Sequence, residues 1–397
     1  MICINKNLIR STRDVFFNPE NGSICTRVDN EDDVWKLDQE PLTDGSNCFR
    51  TVCKLYGHEI ENRFKSYDKI YRALYGRNAT NEDIPTIKYK NIIQDLSSEL
   101  KTIWDKSKTD RRYFQSYHRP KMAFLSSMDN ACIDMDVYKA LFDTGAVDKT
   151  VLESFLPNDQ GFASKPEYSS LGTKTGRLVV TNGPNINILP KDARTILKSR
   201  WEKGLIASVD FSSVEMQVLL VANGEEPKQD VYSDFSESYG LDLPRDVSKR
   251  ALISAVYGAG PALVSNMVGS REKGEEIFDN AKTYLQTESL EDTLKEQCEE
   301  NDGDFFSSFG RRLSHADLTN LINGYAQSTA VDVCIKGFEN LTNIMISKGI
   351  SFKKLFVLHD AIFFDLENEE NYLELCKICN DGIDSFGIKY PIKIEKL

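Results

Sequence analysis

Residues 354–364 read KLFVLHDAIFF, a hydrophobic, strand-like run with the ionisable pair His359-Asp360 in its middle. Branched and aromatic residues at this density favour β-strands, so the run predicts a tight β-hairpin. Burying a carboxylate in such a hairpin is costly unless a positive group meets it. The position of Asp360 therefore indicates a site that supplies positive charge.

A second aspartate lies in similar surroundings, in the stretch LIASVDFS at residues 205–212. Asp210 and Asp360 are far apart in sequence, but their two strands can meet in one sheet. Two strand-borne aspartates of this kind are what a two-metal phosphoryl-transfer site needs. Either aspartate alone is more typical of a cap or a salt-bridge partner, so the prediction rests on the pair.

The bulk properties describe an ordinary soluble globular protein. The chain has 397 residues, enough for two or three domains, of which 40% are hydrophobic and 28% charged. No stretch approaches the ~18 apolar residues of a membrane span. The first ten residues, MICINKNLIR, lack the apolar core of a signal peptide. We therefore expect a cytoplasmic protein with no membrane partner.

The nine cysteines show no spacing typical of a disulfide framework. Cys376 and Cys379 form one Cys-x-x-Cys, but no second pair completes a zinc site. Their three-residue spacing marks one face of a helix, and we interpret them as a buried, reduced pair.

The charge distribution is more informative than the net charge of −12, which taken alone argues against a nucleic-acid partner. Residues 101–121 hold seven lysines and arginines against two acids, interleaved with Tyr113, Phe114 and Tyr117. This pattern is typical of a surface that tracks a nucleic-acid backbone. A solvated helix face is the equal alternative for this segment.

Residues 245–258, RDVSKRALISAVYG, predict a helix that Pro244 can start and Gly258 can end. Two cations near the helix N-terminus are disfavoured by the helix dipole by a few tenths to ~1 kcal/mol, and a bound anion would reverse that penalty. A triphosphate is the natural candidate. The alternative is an amphipathic helix with solvated cations. The residues spaced by four along this face are Arg245, Lys249, Ile253 and Tyr257.

Six motifs in collinear order resemble those of the family A (DNA polymerase I-like) polymerases. They are TGRL (175–178) with PNINILP (184–190), DFSSVE (210–215), the helix 245–258, FGRR (309–312), NGYAQSTAVD (323–332) and His359-Asp360. The resemblance covers about residues 150–397. It implies an α+β chain with the right-hand arrangement of palm, fingers and thumb, an antiparallel palm sheet, and mainly helical fingers and thumb.

The resemblance also implies a domain organisation and a set of partners. About 85 residues precede the segment that would be the thumb, too few for a 3′–5′ exonuclease domain, so we expect no proofreading. The expected partners are primer-template DNA and dNTPs, with a separate exonuclease or replisome subunits as further candidates, and the chain itself is expected to be a monomer. The segments are 1–85 (unknown role), 86–155 (thumb-like), 156–215 (palm, first part), 216–305 (fingers) and 306–397 (palm, second part).

For the chemistry, the resemblance assigns roles residue by residue. Asp210 and Asp360 would ligate two Mg²⁺ ions, with the backbone carbonyl of Phe211 completing a metal shell. Arg245 and Lys249 would neutralise the phosphates during transfer, which makes Lys249 a third catalytic residue.

For substrate selection, Glu215 would lie under the incoming sugar, hydrogen-bonded to Tyr257, and leave no room for a 2′-hydroxyl. This implies a DNA rather than an RNA polymerase. Four residues would contact the primer-template: Arg177 and Gln327 as minor-groove readers of the new base pair, His359 at the primer-end phosphate, and Asn185 at the template strand.

Two departures from the family bear on activity. Ile253 stands where the family usually has an aromatic ring near the incoming nucleotide, and Ala361 stands where it has a glutamate after the hairpin aspartate. Because Asp210 and Asp360 can still hold both metals, we expect activity, with an altered rate or sugar selection.

Two other functions stay open. A single-subunit RNA polymerase shares the palm, although Glu215 and the short N-terminal region argue against it. A catalytically silent primer-template binding protein is the second alternative. The compactness of the chain suggests a phage-like replication protein acting in a nucleoid or an infected cell.

Overall fold

The computed structural model describes residues 1–11, 13–28, 34–37, 48–58, 60, 63–317 and 320–397. The chain divides into two compact units, Met1–Ala123 and Phe124–Leu397. Within these described ranges, no helix is both long and apolar enough to cross a membrane.

The first unit combines a small sheet with helices. The sheet order is β3-β2-β1-β4, in which β1–β2 and β2–β3 are antiparallel and β1–β4 is parallel. The strands are β1 (Ile2–Ile4), β2 (Val15–Phe17), β3 (Ile24–Cys25) and β4 (Trp35–Lys36). The helices are α1 (Lys6–Ile9), α2 (Phe49–Leu55), α3 (Lys65–Tyr75), α4 (Thr86–Lys106), α5 (Lys108–Tyr113) and α6 (Arg119–Ser126), in which the boundary between the units falls.

Two of the three aromatic residues predicted to interleave a nucleic-acid surface at residues 101–121 are buried, and the third, Tyr117, is partly exposed. Tyr113 and Phe114 are 2% and 6% exposed, so their rings are not available to stack on bases. The Nζ of Lys121 lies 3.0 Å from the hydroxyl of Tyr113, and Lys101 forms an ion pair within its own helix. The prediction is wrong in this respect, because burying the rings in the core of the unit stabilises it more than exposing them would.

The second unit holds all the residues that the family resemblance singled out. Its strands are β5 (Cys132–Ile133), β6 (Glu167–Ser169), β7 (Val179–Asn182), β8 (Leu197–Lys198), β9 (Leu205–Phe211), β10 (Asp304–Phe306), β11 (Arg312–Ser314), β12 (Phe352–Leu358), β13 (Ala361–Leu366), β14 (Ile383–Ser385), β15 (Ile388–Tyr390) and β16 (Ile392–Lys396). Its helices are α7 (Met135–Thr144), α8 (Lys149–Glu153), α9 (Val214–Ala222), α10 (Val231–Ser238), α11 (Arg245–Tyr257), α12 (Ala262–Val268), α13 (Arg271–Tyr284), α14 (Thr287–Glu300), α15 (Leu321–Ser347) and α16 (Glu369–Cys379).

The antiparallel sheet predicted around the two aspartates is present. β12 and β13 form the predicted hairpin, β13 pairs with β9, and β9 pairs with β16, all antiparallel. The order is therefore β12-β13-β9-β16. β13 is buried along its whole length, which is why it reads as an unbroken hydrophobic run apart from one aspartate.

One face of this sheet packs on a core contributed by residues 131–197. Ile206 of β9 and Phe363 of β13 belong to that core. Because side chains alternate along a strand, Asp210 lies on the same face as Ile206, toward the end of β9.

The opposite face packs against the long helix α15. The ring of Phe211, 1% exposed, lies with its centroid 5.3 Å from that of Phe338 and 6.1 Å from that of Tyr390. Gly337 allows the close approach, because a Cβ at this position would come within 2.5 Å of the Phe211 ring. The helix and the strand that carries Asp210 are therefore held together at one tight contact.

Two local predictions at the C-terminus have different outcomes. Cys376 and Cys379 do lie on one helix, α16, and both are free thiols, but only Cys379 is buried. The sequence IKYPIKI at residues 388–394 also predicts a single closing strand, but these residues belong to two strands, β15 and β16, in different sheets. Pro391 separates them, because proline has no N–H to donate to a ladder.

Candidate active site

The hairpin turn between β12 and β13 consists of His359 and Asp360 alone. Leu358 and Ala361 are the last paired residues on either side of it. His359 adopts the left-handed conformation with φ 54°, which a two-residue turn between antiparallel strands requires. The turn presents both ionisable side chains at the end of the sheet.

The end of β9 lies beside this turn. Asp210 is the register partner of Ala361, and the backbone N–H of Phe211 donates to the carbonyl oxygen of Asp360 at 2.9 Å. The two aspartates predicted from sequence to meet are therefore neighbours: Asp210 lies at the end of β9, and Asp360 lies in the turn that precedes β13, one residue apart in register. Burial, with the Asp360 charge second, raises the pKa of Asp210 to about 7, and burial also raises the pKa of Asp360.

Both aspartates line one cavity of about 440 Å³, here called the carboxylate cavity. It contains three acidic and three basic side chains. Its walls come from the end of β9, the start of α9, the segment before α10, the first turns of α11 and the strand β16. The acidic and basic lining residues are Asp210, Asp230, Asp360, Arg245, Lys249 and Lys393.

Helix α11 supplies the basic wall of the carboxylate cavity. It spans Arg245–Tyr257, between Pro244 and a left-handed Gly258, as the sequence predicts. Its buried face packs on the rest of the unit, which leaves the predicted stripe on the outer, less buried face. Arg245 pairs with Asp230, its Nε 2.7 Å from Oδ2. Lys249 is exposed and makes no hydrogen bond or ion pair with any residue that the structure describes.

A second cavity of about 250 Å³ adjoins the first and shares Asp360 with it; we call it the glutamate cavity. Both oxygens of Glu215 are engaged there. Arg177 Nη2 donates to Oε1 at 2.7 Å, and the Tyr257 hydroxyl donates to Oε2 at 2.7 Å. Burial, followed by the hydrogen bond to Glu215, raises the pKa of Tyr257, so the hydroxyl remains a donor at neutral pH. The hydrogen bond implied by the family resemblance is thus present.

Gln327 on α15 extends this network. Its Nε2 donates to the Tyr257 hydroxyl at 3.3 Å and to Asn323 Oδ1 at 2.7 Å, while Thr175 Oγ1 donates to its Oε1 at 3.2 Å. Side chains from three separate motifs therefore meet around Glu215. The lining of the glutamate cavity also includes His359 and Ile253. The Ile253 side chain is partly exposed and does not pack in the interior.

The TGRL motif takes its shape from a tight packing contact. Gly176 has φ +82°, and a Cβ there would come within 2.6 Å of the guanidinium of Arg311. Arg311 is 8% exposed and donates to the carbonyl oxygen of Ser170 at 3.0 Å. Position 176 therefore needs a glycine, because its φ is positive and because there is no space for a Cβ. The turn directs the next residue, Arg177, toward Glu215.

Not every predicted residue lines these cavities. Asn185 lies in the connection between β7 and β8, where its N–H donates to Ser154 Oγ at 3.2 Å, and it lines neither cavity. The Phe211 side chain is in the core, so only its backbone reaches the site. The motifs did not single out Asp230 or Lys393. The alternation in Ile392-Lys393-Ile394 is the signal that could have indicated a lysine on one face of a strand.

The residues at the end of β9 and in the hairpin turn fit a hard divalent cation. The donors are carboxylate and backbone carbonyl oxygens, which Mg²⁺ prefers. Burial raises the pKa of Asp210 and of Asp360, and at Asp210 the Asp360 charge adds to the effect, so a bound cation would favour the ionised form of both carboxyl groups. Among the described residues there is no cluster of three or more His, Cys, Asp or Glu arranged to hold a metal.

Comparison with known proteins identifies the fold. No family model matches the sequence, and no curated protein is detectably similar to it. Among solved structures, the chain is similar to the POL domain of Pol1 from M. smegmatis in complex with DNA primer-template and dNTP. The TM-score is 0.53 at 13% sequence identity, over 83% of this chain and 78% of that one. At this identity the likeness concerns the fold, which is that of a DNA polymerase domain.

Proposed function

We propose that this protein is a template-directed DNA polymerase of the family A type, which adds dNTPs to a primer 3′-hydroxyl by a two-metal mechanism. The observation that carries the proposal is the carboxylate cavity. On a polymerase-like fold, it brings Asp210 and Asp360 together with the cations of α11 in one solvent-accessible space. Phosphoryl transfer needs this combination, because its catalysis is mostly positioning and charge stabilisation.

Asp210, Asp360 and the Phe211 carbonyl would hold the metals. When bound, two Mg²⁺ ions would lower the pKa of the primer hydroxyl and stabilise the charge on the triphosphate. The two carboxylates would fix where that cationic charge lies, because Asp210 is on a strand of the antiparallel sheet and Asp360 is in the hairpin turn next to it. The hydrogen bond from Phe211 N–H to the Asp360 carbonyl holds the two strand ends in register.

Arg245 and Lys249 would bind the triphosphate from the helix side. Both lie on the first turns of α11, where the helix dipole also favours a bound anion. Arg245 is paired with Asp230 and Lys249 has no partner among the described residues. We therefore assign Lys249 the larger role in neutralising charge during transfer.

Glu215 would select deoxyribose. Because Arg177 and Tyr257 fix both of its oxygens, the carboxylate cannot swing away without breaking two charge-assisted hydrogen bonds. A fixed carboxylate beside the sugar excludes a 2′-hydroxyl. This argument favours a DNA polymerase over the RNA polymerase alternative.

The remaining assignments concern DNA. We propose that Arg177 and Gln327 read the minor groove of the new base pair, that His359 contacts the primer-end phosphate and that Asn185 contacts the template. In this proposal residues 86–155 act as thumb, 216–305 as fingers, and 156–215 with 306–397 as palm. The chain would act as a monomer, and proofreading would come from a separate protein.

The presence of alanine at position 361, where the family has a glutamate, favours the second candidate, a silent primer-template binding protein. Ala361 is the register partner of Asp210 and 6% exposed, so the position beside the aspartate holds a methyl group and no carboxylate. Two carboxylates remain, which is the minimum for a two-metal site, and we therefore retain catalysis in the proposal.

Primer extension with Mg²⁺ tests the function, with dNTPs in one reaction and NTPs in another. We expect the parent chain to extend with dNTPs, and Asp210→Ala and Asp360→Ala each to reduce extension by at least about a thousandfold, since each removes a metal ligand. Asp384→Ala, which changes a partly exposed aspartate outside both cavities, is the control. Extension by either active-site variant within tenfold of the parent contradicts the assignment. Extension with NTPs alone supports the RNA polymerase, and DNA binding without extension supports the silent protein.

A further inference from the structure

Strand β16 places a lysine beside Asp210. Lys393 is the register partner of Asp210 across the β9–β16 pairing, so both side chains emerge on the same face of the sheet. Lys393 is exposed and lines the carboxylate cavity. It makes no hydrogen bond or ion pair with any described residue, Asp210 included.

Two neighbouring lysines behave differently. Lys396, three residues on and on the opposite face of the sheet, has its Nζ 2.6 Å from Glu369. Lys191 has its Nζ 3.1 Å from Glu395, which shares the face of Lys393. Both therefore have an acidic partner within the unit. Lys393 is left with its charge directed to the cavity, as is Lys249 on α11.

The charge of the cavity depends on this residue. Asp210, Asp230 and Asp360 contribute three negative charges when ionised, and Arg245, Lys249 and Lys393 contribute three positive ones, so the lining is neutral. Arg245 and Asp230 compensate each other at 2.7 Å. Two aspartates and two lysines remain. One lysine comes from the helix and one from the sheet.

We propose that Lys393 binds the phosphate tail of the incoming dNTP from the sheet side, so that the tail lies between Lys249 and Lys393. This inference rests on the proposed polymerase function and adds a residue to it. A lysine ammonium is a compact cation with three donors, suited to phosphate oxygens. Lys393 reaches the carboxylate cavity from strand β16, whereas Lys249 reaches it from α11. Lys393 would therefore hold the phosphates on the side of the sheet where the carboxylates lie.

Nucleotide affinity tests this role. We expect Lys393→Ala to weaken dNTP binding about tenfold, the size expected for one charge-assisted contact. Lys393→Arg should restore most of it. Lys249→Ala is the positive comparator. Lys389→Ala is the matched control, because Lys389 is an exposed lysine on β15, the preceding strand in the chain, and does not line the carboxylate cavity.

Two measurements are needed for each variant. The first is equilibrium binding of the templated dNTP to enzyme with a dideoxy-terminated primer-template, and the second is the KM for single-nucleotide incorporation on an extendable primer. The affinity for the primer-template itself serves as the reference, and we expect it to be unchanged in Lys393→Ala.

Three results would overturn the inference. Nucleotide affinity in Lys393→Ala within twofold of the parent, while Lys249→Ala loses it, leaves Lys393 without this role. An equal loss of primer-template affinity places Lys393 on DNA instead. A parent chain that neither binds nor incorporates dNTPs rejects the proposed function and this inference with it, and that result is distinct from the first two.

Discussion

Asp210 carries a charge that the fold disfavours in the absence of a cation. Its pKa is about 7 in the folded protein against 3.8 for an ordinary aspartate, because of burial first and the neighbouring Asp360 second. Between these two pH values the folded protein holds a proton that the unfolded chain has released. Stability from this group is therefore full below pH ~4 and is lost as the pH rises through ~7.

This linkage predicts how Mg²⁺ should stabilise the protein. Above pH ~7 the cation meets an ionised carboxylate and relieves an unfavourable charge, whereas at pH ~5.5 it must first displace a proton. We expect the rise in Tm on adding Mg²⁺ to be clearly larger at pH ~8 than at pH ~5.5, measured by thermal unfolding without nucleotide.

Asp210→Asn provides the control for the Mg²⁺ prediction. It keeps the shape of the side chain but cannot be ionised, so the pH-dependent part of the Mg²⁺ effect should be reduced or lost. A Tm rise that is the same at both pH values in the parent chain would contradict the assignment of Asp210 as a metal ligand.

Glu215 joins two residues with different proposed tasks. Its removal frees Arg177 and takes the main acceptor from Tyr257, which keeps a contact to Gln327 at 3.3 Å. We expect Glu215→Ala to reduce discrimination between dNTP and NTP by about 10- to 100-fold, because the group that excludes the 2′-hydroxyl is gone. The ratio of kcat/KM for the two nucleotides is the measurement.

Glu215→Gln separates the two effects of this change. The amide occupies the same volume but lacks the charge that holds Arg177. Discrimination should therefore stay within a few-fold of the parent, while any effect of releasing Arg177 appears in both variants. If the alanine variant discriminates as well as the parent, Glu215 does not select the sugar, and the RNA polymerase alternative gains support.

At the scale of elements, the contact between α15 and β9 sets the position of the catalytic strand. Gly337→Ala would bring a methyl group to about the place where the Phe211 ring now lies, since a Cβ there is 2.5 Å from the ring. We expect a loss of ~1–3 kcal/mol in the free energy of unfolding from this overpacking. Denaturant unfolding measures it.

A double-mutant cycle identifies the cause of the Gly337→Ala effect. If the added methyl group acts through the ring, Gly337→Ala should cost less in a Phe211→Leu background than in the parent. An equal cost in both backgrounds would show that the methyl group acts elsewhere on α15. A Gly337→Ala variant as stable as the parent would show that helix and strand are not tightly packed at this point.

Local signals in the sequence predicted several elements well. Pro244 and Gly258 delimit α11 as predicted, because capping preferences depend on residues close together in the chain. The β12–β13 hairpin follows for the same reason, from a continuous strand-like run around the pair His359-Asp360. The family resemblance implied a polymerase fold, and the structural comparison supports a polymerase-like fold.

Features that depend on distant segments could not be predicted in this way. The position of Lys393 beside Asp210 depends on the register between β9 and β16, and a shift of one residue would turn Lys393 to the other face. The ion pair between Arg177 and Glu215 likewise joins two motifs 38 residues apart. The sequence did not predict the burial of Tyr113 and Phe114, because aromatic residues spaced among lysines and arginines can lie in a core as well as on a surface.

At the scale of the whole molecule, a net charge of −12 has to be reconciled with a proposed DNA partner. The basic residues proposed to bind nucleotide are those that line the carboxylate cavity. The carboxylate cavity has as many bases as acids, and many of the acids elsewhere in the chain lie on α13 and α14, where Glu275, Glu288 and Glu291 take part in helix-surface ion pairs. Net charge therefore bears on solubility and non-specific association more than on the proposed site.

The proposed function also predicts the fate of a mismatched primer end. The similarity to a polymerase domain extends over 83% of the chain, and Asp210 with Asp360 is the acidic pair that we propose as the metal site among the described residues. We therefore expect the purified chain to show no 3′–5′ degradation of a mismatched primer without nucleotides. Added pyrophosphate should allow shortening by the reverse of incorporation, and Asp210→Ala should abolish this. Degradation that needs no pyrophosphate and persists in Asp210→Ala would reveal a separate nuclease site and reject the prediction.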